Sequence, residues 1–171
     1  MLCYPKMYQK KVENINYLKL KELGIKCLVF DLDNTIALID QDLISADTKK
    51  LLTNLKKDFT IVIISNNVES RVKKYADSLE CDYVYKACKP FSKGFKKIAK
   101  KYSLEAYEIA VIGDQLITDI LGANLFKAYP ILVDPMAKKD LKISYFNRFL
   151  ERQVFKKYRK KGIMNKGEYY G

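Results

Sequence analysis

The chain has 171 residues, 49% of them hydrophobic, with 32 Lys plus Arg against 20 Asp plus Glu, a formal charge of +12 and no histidine. That length suits one domain carrying at most an arm, and that apolar content excludes a disordered chain. Without histidine there is no Ser-His-Asp or Cys-His pair, no histidine base and no histidine-bearing zinc site, so carboxylates, Lys, Ser/Thr, Tyr or Cys must carry any reaction near neutral pH, with a hard oxygen-binding metal such as Mg²⁺ as the natural helper.

The first residues, Met1 to Lys6, lack the continuous apolar core of a secretory signal. Cys27-Leu28-Val29-Phe30 is a short apolar run, as expected of a strand buried on both faces. Asp31-Leu32-Asp33-Asn34-Thr35 follows it, and Ser45 or Asp47 can cap a helix through about Lys57. Ile61–Ile64 repeats the strand pattern, Ser65-Asn66-Asn67 follows, and Ser65 or Asn67 can cap a helix through Leu79. Tyr83–Tyr85 is a weaker strand that leads to Lys89-Pro90. A helix over Phe91–Tyr102 carries Phe95, Ile98, Ala99 and Tyr102 at helical spacing. Ile109–Ile112 is the next strand, followed by Gly113-Asp114-Gln115-Leu116-Ile117-Thr118-Asp119, a helix through Phe126 and a last strand, Ile131–Val133. This alternation predicts an α/β fold of three layers, a Rossmann-like parallel sheet with helices on both faces. No apolar run approaches the roughly 18 residues of a spanning helix. Cys3, Cys27, Cys81 and Cys88 form no C-x-x-C pair and read as reduced cytosolic thiols. The expected location is cytoplasmic, with a peripheral position at a membrane surface as an extension of it.

Parallel sheets bind ligands beyond the carboxyl ends of their strands. Four strand ends here deliver Asp31 and Asp33, Ser65, Lys89, and Asp114 with Asp119 to one rim. Each piece has an ordinary explanation: a self-capping turn, a helix N-cap, a first-turn carboxylate. Together they do not, because four crowded carboxylates repel one another unless a cation sits among them.

These motifs, in this order, resemble those of the haloacid dehalogenase (HAD) superfamily from about Gly24 to Pro135, and more narrowly subfamily IIIA and its YqeG-type phosphatases, a group similar to phosphatidylglycerophosphate phosphatases. Asp31-Leu32-Asp33-Asn34-Thr35, Ile64-Ser65-Asn66-Asn67, Ala87-Cys88-Lys89-Pro90 and Gly113–Gly122 carry the likeness, with Asn124 and Ile131–Pro135 behind them. Two departures stand out: Asn124-Leu125 where the group usually has Asn-Arg, and Lys127 where it usually has Gly. The resemblance implies a Mg²⁺-dependent phosphomonoesterase. Asp31 is then the nucleophile that forms an aspartyl-phosphate, and Asp33 the acid/base. Asp31, the Asp33 backbone carbonyl and Asp114 are the metal ligands. Ser65, Asn66 and Lys89 bind the phosphate, Lys89 being catalytic as well. Asp119 and Thr35 support them from behind.

Residues 36–44 leave room for a small hairpin flap, and 65–89 for one helix and one strand, so no cap domain is expected. An open site suits a large or surface-presented substrate such as phosphatidylglycerophosphate; a cap supplied by an oligomeric partner is the alternative. The charge is divided unevenly. Residues 27–135, the expected catalytic core, carry 15 basic and 15 acidic side chains. Residues 1–26, an expected N-terminal arm, have a surplus of +4, and residues 136–171, an expected C-terminal helix and tail, one of +8. In that tail Ile143, Phe146, Leu150, Val154 and Tyr158 make a helical stripe among cations. It fits a packed final helix, an amphipathic helix on anionic membrane, or a nucleic-acid contact. The competing functions are therefore a phosphatase of nucleic-acid or nucleotide phosphates and a non-catalytic HAD-fold binding module.

Overall fold

The computed structural model describes residues 2–137 and 142–171, the side chains of 142–145 excepted. Among these residues six strands form one parallel sheet: β1 (Met7–Gln9), β2 (Cys27–Asp31), β3 (Thr60–Ile64), β4 (Asp82–Val84), β5 (Ile109–Gly113) and β6 (Tyr129–Val133), in the order β1-β6-β5-β2-β3-β4. Among the described residues six α-helices accompany it: α1 (Tyr17–Glu22), α2 (Ala46–Leu55), α3 (Glu69–Leu79), α4 (Lys93–Tyr102), α5 (Leu121–Phe126) and α6 (Lys142–Lys160). Between β5 and α5 the chain makes a π-helical turn, Leu116–Ile120. The chain leaves β2 toward β3 on one side and returns to β5 on the other, so the switch point lies between β2 and β5, where a ligand crevice opens in folds of this kind.

The apolar runs form strands because alternate side chains go to opposite faces and both faces are covered. Phe30, Ile63 and Ile112 pack with Leu52, Val72, Tyr75 and Leu79 of α2 and α3. Val29, Val62 and Val111 pack with Phe95 and Ile98 of α4 and Ala123 of α5. The helix α2 starts at the expected cap, with Ser45 Oγ accepting from the Thr48 N–H at 3.1 Å. The cap expected at Asn67 or Ser65 falls elsewhere: Val68 precedes α3 without a side-chain cap, because Ser65 Oγ accepts from the Asn67 N–H inside the loop.

The two basic ends are packed onto this core. Met7 and Tyr8 are fully buried, and β1 pairs with β6 at the sheet edge. The tail comes back to the same strand: Tyr8 N–H donates to Tyr170 O at 2.8 Å and Tyr170 N–H to Tyr8 O at 2.9 Å. Tyr158 of α6 and Met164 join Tyr8, Leu116, Ile120 and Leu132 in a third apolar cluster. Within the predicted stripe Tyr158 is buried whereas Phe146 is 67% exposed, so α6 packs through its second half; Ile143 lies outside the described side chains. Asn124 holds the N-terminal segment, its Nδ2 donating to the Leu2 and Tyr4 carbonyls at 2.8 and 3.0 Å. Lys127, in place of the usual Gly, takes φ +66° at the end of α5, a conformation that favours glycine.

No cap domain is present among the described residues. Residues 32–45 form turns and no strand pair of a hairpin: the Leu32 carbonyl accepts from the Ile36 and Ala37 N–H groups, and both residues are buried. Between β3 and β4 there is only α3.

Candidate active site

The crevice is lined by the carboxyl ends of β2, β3 and β5 and by the Lys89 loop. Asp31 is the last residue of β2 and is 8% exposed. Lys89, 7% exposed, bridges it to Asp119: its Nζ is 2.5 Å from Asp31 Oδ1 and 2.6 Å from Asp119 Oδ1. Thr35 Oγ1 lies 3.2 Å from Asp31 Oδ2 and 3.4 Å from Asp114 Oδ1. Asp119 Oδ2 accepts from the Gln115 N–H at 3.1 Å, which locks the π-helical turn onto its own side chain. Glycine at 113 is a steric requirement here. A Cβ at that position would sit 2.3 Å from Asp119 Cγ.

Ser65 and Asn66 follow β3. Ser65 is buried. The Asn66 side chain is committed to the Lys89 backbone, Oδ1 accepting from its N–H at 2.7 Å and Nδ2 donating to its carbonyl at 3.1 Å. This pair of bonds docks the Lys89 loop against the end of β3. Asp33 has partners outside the Lys89 cluster. Arg71 of α3 holds its Oδ1, with Nε at 2.9 Å and Nη2 at 2.7 Å, and Asn67 Nδ2 donates to its Oδ2 at 3.2 Å.

The fourth strand end recruits a residue from far along the chain. Arg148 of α6 pairs with Asp114 Oδ2 and donates to the Asp114 carbonyl at 2.9 Å. Its Nη1 also lies 3.0 Å from Glu151, whose other oxygen accepts from the Leu116 N–H. Arg71, Arg148 and Glu151 were not among the residues singled out from sequence. Each is a charged residue on an amphipathic helix, where a solvated surface position is the ordinary expectation.

Burial dominates the electrostatics. It pushes the Asp31 carboxyl up to about 7, against the pull of Lys89 and with the repulsion of Asp119. Burial likewise raises Asp114, although Arg148 opposes it. For Lys89, burial alone would lower the ammonium, but Asp119 and Asp31 outweigh it and raise it. Asp31, Asp114 and Asp119 are all buried, and one carboxylate oxygen of each lies within 4.8 Å of the others. Three carboxylates against Lys89 and Arg148 leave one formal negative charge in an all-oxygen donor set. Such a set fits a hard divalent cation.

A family model described as mitochondrial PGP phosphatase matches residues 1–136. The protein "Probable phosphatase YqeG" of Bacillus subtilis (strain 168) is 36% identical over 159 residues, 92% of each chain. Among solved structures, the HAD-hydrolase YfnB from Bacillus subtilis, bound to magnesium, has a TM-score of 0.56 at 14% identity over 70% of this chain and 91% of that one. A subfamily III A HAD superfamily hydrolase from Legionella pneumophila has a TM-score of 0.50 at 20% identity over 70% and 79%. These two likenesses concern the fold. The matched model and the identity to the YqeG protein make the chain a phosphatase of the mitochondrial PGP phosphatase family, built on a HAD-like fold.

Proposed function

We propose that the protein is a Mg²⁺-dependent phosphomonoesterase that works through an aspartyl-phosphate at Asp31, on a large or surface-presented substrate such as phosphatidylglycerophosphate. The observation that carries the reading is the buried Lys89 ammonium held between Asp31 and Asp119 at 2.5 and 2.6 Å. A fold gains little from gathering buried ions. A phosphoryl group needs such an arrangement, with a nucleophilic carboxylate and a fixed cation beside it.

In this reading Asp31 attacks phosphorus and the ester oxygen leaves with a proton from Asp33. Asp33 then takes a proton from the water that hydrolyses the aspartyl-phosphate. Arg71 and Asn67 hold Asp33 until substrate arrives. Lys89 moves from its carboxylate partners to the phosphoryl oxygens. Ser65 Oγ and the backbone N–H of Asn66 bind another of those oxygens, while the Asn66 amide fixes the Lys89 loop. Asp31, Asp114 and the Asp33 carbonyl would hold Mg²⁺, which supplies charge neutralisation between carboxylate and phosphate. Asp119 and Thr35 fix the geometry of Lys89, Asp31 and Asp114.

The uncapped rim supports a bulky substrate, since nothing between β2 and α2 or between β3 and β4 is long enough to enclose a small one. No helix among the described residues is long and apolar enough to cross a membrane, so a lipid substrate would have to be met at the bilayer surface. The deciding experiment is phosphate release from vesicles carrying phosphatidylglycerophosphate, with and without Mg²⁺. Release that needs Mg²⁺ and is lost in Asp31→Asn is the expected result. Robust turnover of soluble sugar phosphates with none on vesicles would sink the lipid reading, and Mg²⁺-independent turnover in the Asp31→Asn protein would sink the mechanism.

A further inference from the structure

A cavity adjoins the carboxylate crevice at Arg148. It has a volume of about 910 Å³ and lies between the segment 135–137, α6 and the C-terminal tail. Pockets that hold small organic ligands span about 300–1,000 Å³. One face of α6 builds the wall, because positions 148, 152, 155, 156 and 159 recur at helical spacing. Arg148, Arg152, Lys156 and Arg159 come from that face and Lys166 from the tail. Among the described lining residues Glu151 is the one carboxylate, and it is already bonded to Arg148 and to the Leu116 N–H. Phe155, Pro135 and Ala137 give the cavity an apolar side.

Arg148 belongs to both places. It lines the cavity and it holds Asp114. A ligand that extends from the crevice past Arg148 therefore enters the cavity. Arg152 lies one helical turn beyond Arg148, about 6 Å along the axis, a step comparable with a glycerol bridge between two phosphates. The surroundings also have a direction. Met136, Phe146 and Phe149 are 45%, 67% and 50% exposed near this wall, so apolar side chains stand in solvent beside a concentration of cations. That combination matches an anionic bilayer surface.

We infer that this cavity is a substrate subsite that takes the second, non-hydrolysed phosphate of a phospholipid monoester, the phosphodiester lying on Arg152 and Arg159 and the adjoining apolar part on Phe155. The inference rests on the proposed phosphatase activity and adds a residue-level basis for its selectivity. The wall lies beyond residue 136, where the family model ends.

The test compares Arg152→Gln/Arg159→Gln with Lys96→Gln/Lys100→Gln, which removes the same charge from exposed positions on α4. For each protein kcat/KM is measured on phosphatidylglycerophosphate in phosphatidylcholine vesicles and on glycerol 3-phosphate, a monoester without a second phosphate. The ratio of the two should fall by about tenfold or more in the arginine variant, through KM, as for loss of hydrogen bonds to a charged group. In the lysine variant it should move by less than about twofold, as for removal of exposed charge. A soluble glycerophosphodiester should compete with the lipid in the wild type and not in the arginine variant. An unchanged ratio, or an equal fall in both variants, overturns the subsite. So does a 5′-phosphorylated oligonucleotide that outcompetes the lipid and depends on the same arginines. If the wild type hydrolyses neither ester, the phosphatase reading fails separately. The subsite is then read from flotation of the Asp31→Asn protein with phosphatidylglycerol vesicles, which should weaken when Arg152 and Arg159 are replaced; equal flotation overturns it.

Discussion

The carboxylate crevice and the α6 wall are both dense in charge, and they solve opposite problems. In the crevice Asp31, Lys89, Asp114 and Asp119 are nearly inaccessible, and each is held by a partner of opposite sign or by a backbone N–H. Removing one member there strands the others in a low-dielectric site. On the wall Arg152, Lys156 and Arg159 are exposed. Water already solvates them, and they cost the fold little. The buried cluster is thus committed to one chemistry, whereas the exposed one is free to select a ligand by charge. Substitutions in the first should affect turnover and, where they strand a buried charge, stability as well; those in the second should affect substrate preference alone.

The strongest way to break this contrast is Asp31→Asn. Loss of the proposed nucleophile should lower kcat by about 10⁴-fold or more, while the metal-free protein stays folded, because a neutral amide removes a charge that burial disfavours and Lys89 keeps Asp119 as a partner. A kcat within about tenfold of wild type, measured by phosphate release, would show that Asp31 is not the nucleophile. Lys89→Met comes next. It leaves Asp31 and Asp119 without their shared cation and should cost about 3–5 kcal/mol in urea unfolding; a loss under about 1 kcal/mol would mean the pair is not buried in the way described. Gly113→Ala drives a Cβ into Asp119. It should destabilise by about 1–3 kcal/mol, as overpacking does, and reduce turnover by displacing Lys89.

Arg71→Gln sharpens the comparison from a third place, since Arg71 is partly exposed yet holds Asp33. Turnover should fall by about tenfold, the scale for a residue that orients a reactive group, with a shifted pH–rate profile and partial rescue by Arg71→Lys. A loss of stability with an unchanged profile would make its role purely structural. The subtlest test is pH. The Asp31 carboxyl sits near 7 in the folded chain against an ordinary 3.8, so between those values the folded state binds more protons than the unfolded one. Asp114, also raised by burial, acts in the same sense. The contribution of these two groups to metal-free stability is thus complete below about pH 4 and is lost as pH rises through about 7. A divalent cation needs the ionised carboxylates, so its stabilisation should grow over the same window. Thermal melts in chelator and in excess Mg²⁺ at several pH values between about 5 and 8 would read both trends.

Much of this was legible before any coordinates. The runs Cys27–Phe30, Ile61–Ile64 and Ile109–Ile112 announce buried strands because a strand covered on both faces must be continuously apolar. The residues directly after them are the rim, so motif order in the chain becomes position in space. The edge strand Met7–Gln9 escaped, because three residues flanked by Lys6, Lys10 and Lys11 carry too little periodicity to separate from a basic arm. The Asn66 amide escaped too. A polar residue after a strand reads the same whether it binds phosphate or, as here, the backbone of Lys89 across 23 positions.

The amino-acid sequence determined the parallel α/β layering, the four strand ends that bear carboxylates, serine and lysine, the absence of room for a cap, and the confinement of excess charge to the two ends. Each follows from local pattern, where propensity, burial and motif spacing act over a few residues. Tertiary structure alone decided that Arg71 grips Asp33, that Arg148 reaches Asp114, and that one face of α6 becomes the wall of a cavity beside the crevice. Those pairings span tens of residues and depend on how helices settle against the sheet, and a charged helical residue has the same local signature whether it faces water or a buried carboxylate.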